Sequence, residues 1–257
     1  MTLVETLRRI APMLREQGRL IQLPEDRRAV FVGDTHGDLD ATERVFKDFG
    51  EAGNVLVFLG DTVDRGADSA GNLQRILEEK LQRPDEVHLL MGNHEVWPAC
   101  PFSPASFWES LDEEERSAVS ALLEDLPYAA VHPAGLLSLH GGLPDLPSLE
   151  AFSSIEIGSD AWRDVTWADW GPEDGPMRWG CRPFLGEETF QRRADALGIR
   201  ALVRSHQPDA PEFLFEDRCL TIFTSNAYGS GPRRVALLEP GRTVRSCRDL
   251  RIERIDR

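Results

Sequence analysis

Apolar residues along this chain fall into short unbroken runs rather than strict alternation. AVFVGD (29–34), NVLVFLGD (54–61) and VHLLMGN (87–93) are each an apolar run, then a glycine, then a carboxylate or amide. GLLSLHGG (135–142) and IRALVRSH (199–206) are apolar runs that end in or near histidine. Continuous runs of this kind predict strands buried on both faces, with helices packed outside. Helices are predicted between them, over about 39–50, 69–82, 104–125 and 187–197, with Ser69 starting the second and Ser103–Pro104 capping and opening the third. Leu3, Leu7, Ile10 and Leu14 recur at helical spacing, so 1–20 reads as an amphipathic helix. The C-terminal third differs. LFEDRCLTIFTS, RRVALLEP and TVRSCRDLRIERI predict short strands, with turns at Gly229–Gly231 and Pro240–Gly241. No repeat or linker interrupts the chain, so 1–257 is expected to be one α/β (α+β) domain, a layered sheet core flanked by helices.

In such sheets ligands bind at the carboxyl ends of strands. Here five strand ends supply Asp34 with His36, then Asp61, Asn93, His140 and His206. A single Gly-Asp after a strand is ordinarily a turn or a cap, and a single terminal histidine is ordinarily structural. The histidine count shifts that balance: of six in the chain, His36, His94, His140 and His206 lie at these ends. His88 and His132 read as structural or surface residues. Oxygen and imidazole donors without thiolate suit manganese, iron or zinc. If Asp61 bridges, the set suffices for two ions about 3.5–4 Å apart, with water in the remaining positions.

Composition sharpens this. With 41% hydrophobic and 28% charged residues the chain can bury a sizeable core. No apolar run approaches the ~20 residues of a membrane helix, and the charged N-terminus lacks an apolar signal core. A net charge of −15 argues against nonspecific nucleic-acid or acidic-membrane binding, and requires that a site for an anion be locally positive. The four cysteines form no C-x-x-C pair, so neither a disulfide framework nor a zinc ribbon is expected, and a cytoplasmic location fits.

GDTHGD (33–38), GDTVDRG (60–66), GNHE (92–95), HGG (140–142) and RSH (204–206) occur in that order. Together they resemble the signature blocks of the phosphoprotein phosphatases, the serine/threonine phosphatases among the calcineurin-like metallophosphoesterases. The arginine of GDTVDRG is the most specific part. The resemblance implies the calcineurin-like fold and two divalent ions, manganese first, with iron or zinc as alternatives. Asp34, His36 and Asp61 would hold one ion, and Asp61, Asn93, His140 and His206 the other, with Asn93 also facing the substrate. His94 would be the general acid and Asp64 its orienting partner, which agrees with the chemistry of an imidazole held by a carboxylate. Arg65 would fork onto the phosphate. A second phosphate-binding arginine is expected in MRWGCRPFLG, at Arg178 by its spacing to Gly180 and Phe184, with Arg182 as the alternative. Arg204 matches a structural position, and Tyr228 resembles a tyrosine near the family's active site.

Several residues depart from the pattern or fall outside it. Asp38 stands where many relatives have glutamine, and Asn226 is shifted from the usual Asn-Tyr pair. Glu95 is expected to hold its loop by hydrogen bonds. The acidic run LDEEERS (111–117) reads as a solvated helix face. Trp162, Trp167, Trp170 and Trp179 are expected to pack in the core or loops, with one or two lining the cleft. A regulatory tail after the last strands is not expected. The implied function is a metal-dependent phosphoserine/phosphothreonine protein phosphatase, in which metal-bound water attacks phosphorus directly. It would be a cytoplasmic monomer acting on phosphorylated proteins or peptides, with no nucleic-acid or membrane partner. The competing readings are hydrolysis of diadenosine tetraphosphate or small phosphoesters on the same fold, and an inactive binding module. The second is disfavoured because every implied ligand and the acid are present.

Overall fold

The computed structural model describes residues 1–178, 181–229 and 231–256, with the side chain of Arg178 outside that description. The helices are α1 (Leu3–Gln17), α2 (Leu39–Phe49), α3 (Ser69–Gln82), α4 (Ser106–Ser110), α5 (Glu113–Leu123), α6 (Asp160–Trp167) and α7 (Glu187–Ala196). The strands begin with β1 (Leu20–Gln22), β2 (Ala29–Val32), β3 (Val55–Phe58), β4 (Val87–Leu89), β5 (Ala129–His132) and β6 (Leu136–Leu139). They continue with β7 (Asp169–Trp170), β8 (Gly175–Arg178), β9 (Arg182–Leu185), β10 (Ala201–Arg204), β11 (Phe213–Leu214), β12 (Cys219–Thr221), β13 (Arg234–Leu238) and β14 (Arg251–Arg254).

Two sheets stack. One runs β14-β13-β2-β3-β4 and the other β1-β5-β6-β10-β12-β11, while β7-β9-β8 form a small third sheet. The unbroken apolar runs follow from this layering, because each central strand is covered twice. Phe31 and Val57 of one sheet meet Ala130, Val203 and Leu220 of the other between the layers. Their neighbours Val30, Val32, Leu56 and Phe58 point outward, under Val45 of α2 and Leu73 and Ile76 of α3. β2, β3 and β4 are parallel neighbours in register, as are β6 and β10 in the other sheet. The carboxyl ends of both parallel sets therefore emerge at one edge of the sandwich.

Local chemistry explains most helix limits. A capping box from Thr2 and Glu5 opens α1, Asp38 caps α2, and Asp68 caps α3, with Ser69 as its first residue. The helix expected over 104–125 is two helices. Leu111 is extended (ψ 142°), and Asp112 opens α5 with its own capping box to Glu115. That short-range bond competes with helix continuation, which the apolar spacing does not report. Ser103 and Pro104 precede α4 and do not cap it; its N-cap is Ala105, with no side-chain cap. LDEEERS occupies the break and the exposed start of α5. Among the described residues no helix is long and apolar enough to cross a membrane.

The cysteines also depart from expectation. Cys100 and Cys181, 81 residues apart, form a disulfide. Sequence spacing cannot show a bridge between segments that only the fold brings together. Cys219 and Cys247 are free and buried.

Phe31, fully buried between the sheets, tests the layering. Phe31→Ala is expected to lower unfolding free energy by about 3–5 kcal/mol in denaturant titration. A loss under about 1 kcal/mol would mean that the two sheets do not close over this residue.

Candidate active site

Asp34, Asp61 and Asn93 follow β2, β3 and β4, while His140 and His206 follow β6 and β10. A bridge between Asp34 and Phe223 links the two sheets at this edge. The structure thus brings Asp34, His36, Asp61, Asn93, His94, His140 and His206 into one buried cluster, each at most 5% exposed.

Asp61 sits at its centre. Its Oδ2 lies 3.2 Å from His140 Nε2, 3.7 Å from His36 Nε2 and 3.8 Å from His94 Nε2. His140 Nε2 is also 3.2 Å from Asn93 Oδ1 and 3.1 Å from His206 Nδ1. Three of the imidazoles are oriented alike. His36 Nδ1 and His140 Nδ1 lie 2.9 Å from the carbonyls of Val63 and Leu59, and His206 Nε2 lies 3.0 Å from that of Trp167. Each ring can donate one N–H to the backbone and turn its other nitrogen into the cluster, as imidazole ligands of metals do. His94 differs: its Nδ1 lies 2.7 Å from Asp64 Oδ2, so it is held by a carboxylate. Asp64 is fully buried behind it, and its second oxygen accepts the Phe107 N–H at 2.8 Å.

The charges fit this arrangement. Burial works against ionisation of Asp61, yet His140, His94 and His36 hold it well below the usual carboxylate range. Burial also disfavours a charged His36, but the Asp34 and Asp61 carboxylates outweigh that and push it up to about 9. Burial lowers His94 below its ordinary value while Asp61 and Asp64 pull the other way.

Two loops must nearly touch to build the cluster. A Cβ at Gly60 would lie 2.5 Å from the Gly92 nitrogen, and one at Gly92 would lie 2.3 Å from Asp61 Oδ1. Gly92 is therefore needed for space; its φ is not positive. Glu95 fastens the two loops. It accepts the N–H groups of Asp61 (2.8 Å), Thr62 (2.7 Å) and Gly92 (2.9 Å) and the Thr62 hydroxyl (2.8 Å). Strain collects in the same place. His36, Asp61, Asp64, Arg65 and His206 all adopt left-handed φ, between 44° and 72°. Non-glycine residues hold such angles only where their surroundings over-determine them.

The cluster forms the floor of a cavity of about 330 Å³, walled by Arg65, Phe102, Trp167, Arg182 and Tyr228. The Arg65 guanidinium donates to the Pro104 carbonyl and lies 5.6 Å from the centroid of the Phe102 ring. Tyr228, 44% exposed, places its hydroxyl 3.3 Å from His36 Nε2. Arg182 faces the cavity and forks onto Asp169 at 2.6 and 2.8 Å. The Arg178 side chain and Trp179 lie outside the described residues. Arg204 is fully buried and donates to Gln207 Oε1 at 3.0 Å, away from the cavity. Trp162 and Trp170 are in the core, and of the described tryptophans in this stretch only Trp167 reaches the cavity. Asp38 caps α2 and pairs with Arg233 at 3.0 Å. His88 and His132 are buried away from the cluster, and burial with the nearby Lys80 pushes His88 down to about 3. Phe102 packs 4.4 Å from the His94 ring. Sequence reasoning missed it because CPFSP carries no motif and meets the site only through the fold.

The donor set fits two divalent cations. Two groups of side chains each place ligand atoms within 4.8 Å of one another: Asp61, His140 and His206, and Asp61, His36 and His94. Asp34 Oδ2 is buried without a hydrogen bond and lies 3.6 Å from His36 Nε2. A buried carboxylate oxygen left unpaired beside an imidazole is what a cation site requires and a sealed core does not.

The calcineurin-like phosphoesterase family model matches residues 27–210. The chain is 28% identical to serine/threonine-protein phosphatase T of Schizosaccharomyces pombe over 241 residues, 86% of this chain and 51% of that protein. It is 26% identical to the serine/threonine-protein phosphatase 6 catalytic subunit of Drosophila melanogaster, over 80% of this chain and 73% of that one. The chain thus spans about half the length of the first of these relatives. A serine/threonine phosphatase structure from Saccharomyces cerevisiae, similar to human PP5, superposes with a TM-score of 0.83 at 22% identity, over 98% of this chain and 88% of that one. The order of the strand-end donors, their convergence on Asp61 and the extent of the match place the chain in the calcineurin-like phosphoesterase family.

Proposed function

We propose that this chain is a metal-dependent phosphoserine/phosphothreonine protein phosphatase. The observation that carries the reading is the His94–Asp64 pair beside the Asp61-centred donor set. An alkoxide is a poor leaving group and needs a proton as the P–O bond breaks, and this pair is built to deliver one.

Asp34, His36 and Asp61 would hold one ion, and Asp61, Asn93, His140 and His206 the other. Manganese is the proposed occupant, with iron or zinc accepted by the same ligands. Two ions there would polarise a phosphoryl oxygen and supply hydroxide near neutral pH. The protein's own groups do the rest. Arg65 and Arg182 would bind phosphate oxygens at the cavity wall and set phosphorus over the donor cluster. Arg182 is named as the second clamp because its side chain faces the cavity, while the side chain of Arg178, the first choice from the sequence, lies outside the described residues. Asp64 fixes the Nδ1–H of His94, so Nε2 carries the transferable proton. The dianionic phosphate adds negative charge beside that ring and favours its protonated form. Nε2 then gives its proton to the departing serine or threonine oxygen. Phe102 and Trp167 cover this end of the cavity and limit water around the ring. A monomer acting on cytoplasmic phosphoproteins completes the reading.

Purified protein is expected to hydrolyse phosphoserine and phosphothreonine peptides with manganese stimulation. Exhaustive chelation and Asp61→Asn should each abolish turnover. Full wild-type activity after verified metal removal would sink the mechanism. If diadenosine tetraphosphate turned over while phosphopeptides did not, the substrate assignment would fail.

His94→Asn is expected to lower kcat on an alkyl phosphate by about 10²–10⁴-fold, with metal content unchanged by elemental analysis. The loss on p-nitrophenyl phosphate should be smaller, because that leaving group needs no proton. Equal losses on both substrates would remove His94 from the acid role.

A further inference from the structure

We infer that Cys100 and Cys181 form a thiol–disulfide modification site that controls substrate affinity, by covalently tying together two walls of the cavity that come from distant parts of the chain. This rests on the phosphatase reading above.

The two walls come from different parts of the chain. One is the segment 97–104, which carries Phe102 against the His94 ring and the Pro104 carbonyl that receives Arg65. It is held by Trp97, whose Nε1–H donates to the Phe102 carbonyl at 2.7 Å and whose ring stacks on Trp108. The other is the β8–β9 hairpin, in a sheet separate from the two main ones, which carries Arg182. It is anchored through the Arg182–Asp169 fork. The disulfide joins Cys100, two residues before Phe102, to Cys181, one residue before Arg182. It therefore links the wall beside the proposed acid to the wall beside the proposed phosphate clamp. Both cysteines are only partly buried, so a small thiol can reach them, whereas Cys219 and Cys247 are fully buried.

Reduction breaks one S–S bond and forms two S–H groups, while two external thiols lose two protons and two electrons to become one disulfide. In reducing compartments such exchange makes a disulfide transient and suited to sensing. The donor cluster and the His94–Asp64 pair are held by their own buried hydrogen bonds, none through the bridge. Opening the bridge should leave the chemical step intact and shift the ordering of Phe102 and Arg182 from the free enzyme to the binding event. The expected result is a rise in KM of about 3–10-fold, the scale of ordering one or two side chains on binding.

The test uses full-length, manganese-loaded protein prepared without reductant. Half is treated with a water-soluble phosphine, which consumes water, becomes the phosphine oxide and competes weakly for metal. Thiol titration of the unfolded protein should count two thiols before treatment and four after. Phosphopeptide KM should rise in the reduced sample with kcat within about twofold, a change well below the effects of catalytic substitutions. Cys100→Ser should show the KM of the reduced form with or without phosphine. Four thiols in the untreated sample, even after mild peroxide, would overturn the proposal. So would an unchanged KM after confirmed reduction, or a fall in kcat instead. Absence of phosphatase activity in both samples with two thiols counted would defeat the functional reading and with it any control of turnover, while leaving the disulfide itself established.

Discussion

The architecture depends on how closely two backbone turns can approach. Asp61 reaches the centre of the cluster only because the turn after β3 lies against the turn after β4, with no side chain at Gly60 or Gly92 to hold them apart. Packed polar backbone needs partners, and Glu95 supplies them to three N–H groups and one hydroxyl at once. Without that carboxylate the turns would bury unpaired donors, each costing about 1–3 kcal/mol. Left-handed residues around the cluster depend on a second close approach, between the turns after β2 and β3. His36 and Asp61 hold unfavourable φ angles because the His36 N–H donates to the Asp61 carbonyl at 2.9 Å and the Gly37 N–H to that of Thr62 at 2.8 Å.

The site also resolves a charge conflict. At a net charge of −15, any anion this chain binds needs a locally positive site. Arg65 and Arg182 face the cavity. Most other arginines are spent on surface carboxylates, as in the pairs of Arg28 with Glu239 and Arg75 with Glu79. Arg65 and Arg182 thus bring guanidinium charge to a concave site, where low-dielectric walls focus its field.

Much of this was legible in the sequence. Buried strands announce themselves as apolar runs, and polar residues at their tips are conspicuous because turn chemistry rarely needs so many histidines. The strand ends carrying Asp34, Asp61, Asn93, His140 and His206 could therefore be read together. Three features could not. The break at Leu111–Asp112 arises from a capping box that competes locally with helix periodicity. Phe102 reaches His94 through a tertiary contact of a loop without a motif. The Cys100–Cys181 bridge spans 81 residues, and nothing in the spacing marks the partners. Periodic signals carry burial and strand-end chemistry, whereas long-range pairings of irregular segments are written only in three dimensions.

The donors are divided between layers. Asp34, His36, Asp61 and Asn93 belong to one sheet, and His140 and His206 to the other. A cation bridged by Asp61 and held by His140 and His206 would fasten one sheet to the other across the open edge of the sandwich. Its affinity is then thermodynamically linked to the docking of the two sheets, since a chain with either sheet unfolded offers only part of the coordination shell. Binding confined to the native state raises stability in proportion to the logarithm of free ion concentration. The same ligands that would run the chemistry would thereby act as a rivet, and scarcity of metal would loosen the sandwich as well as silence it.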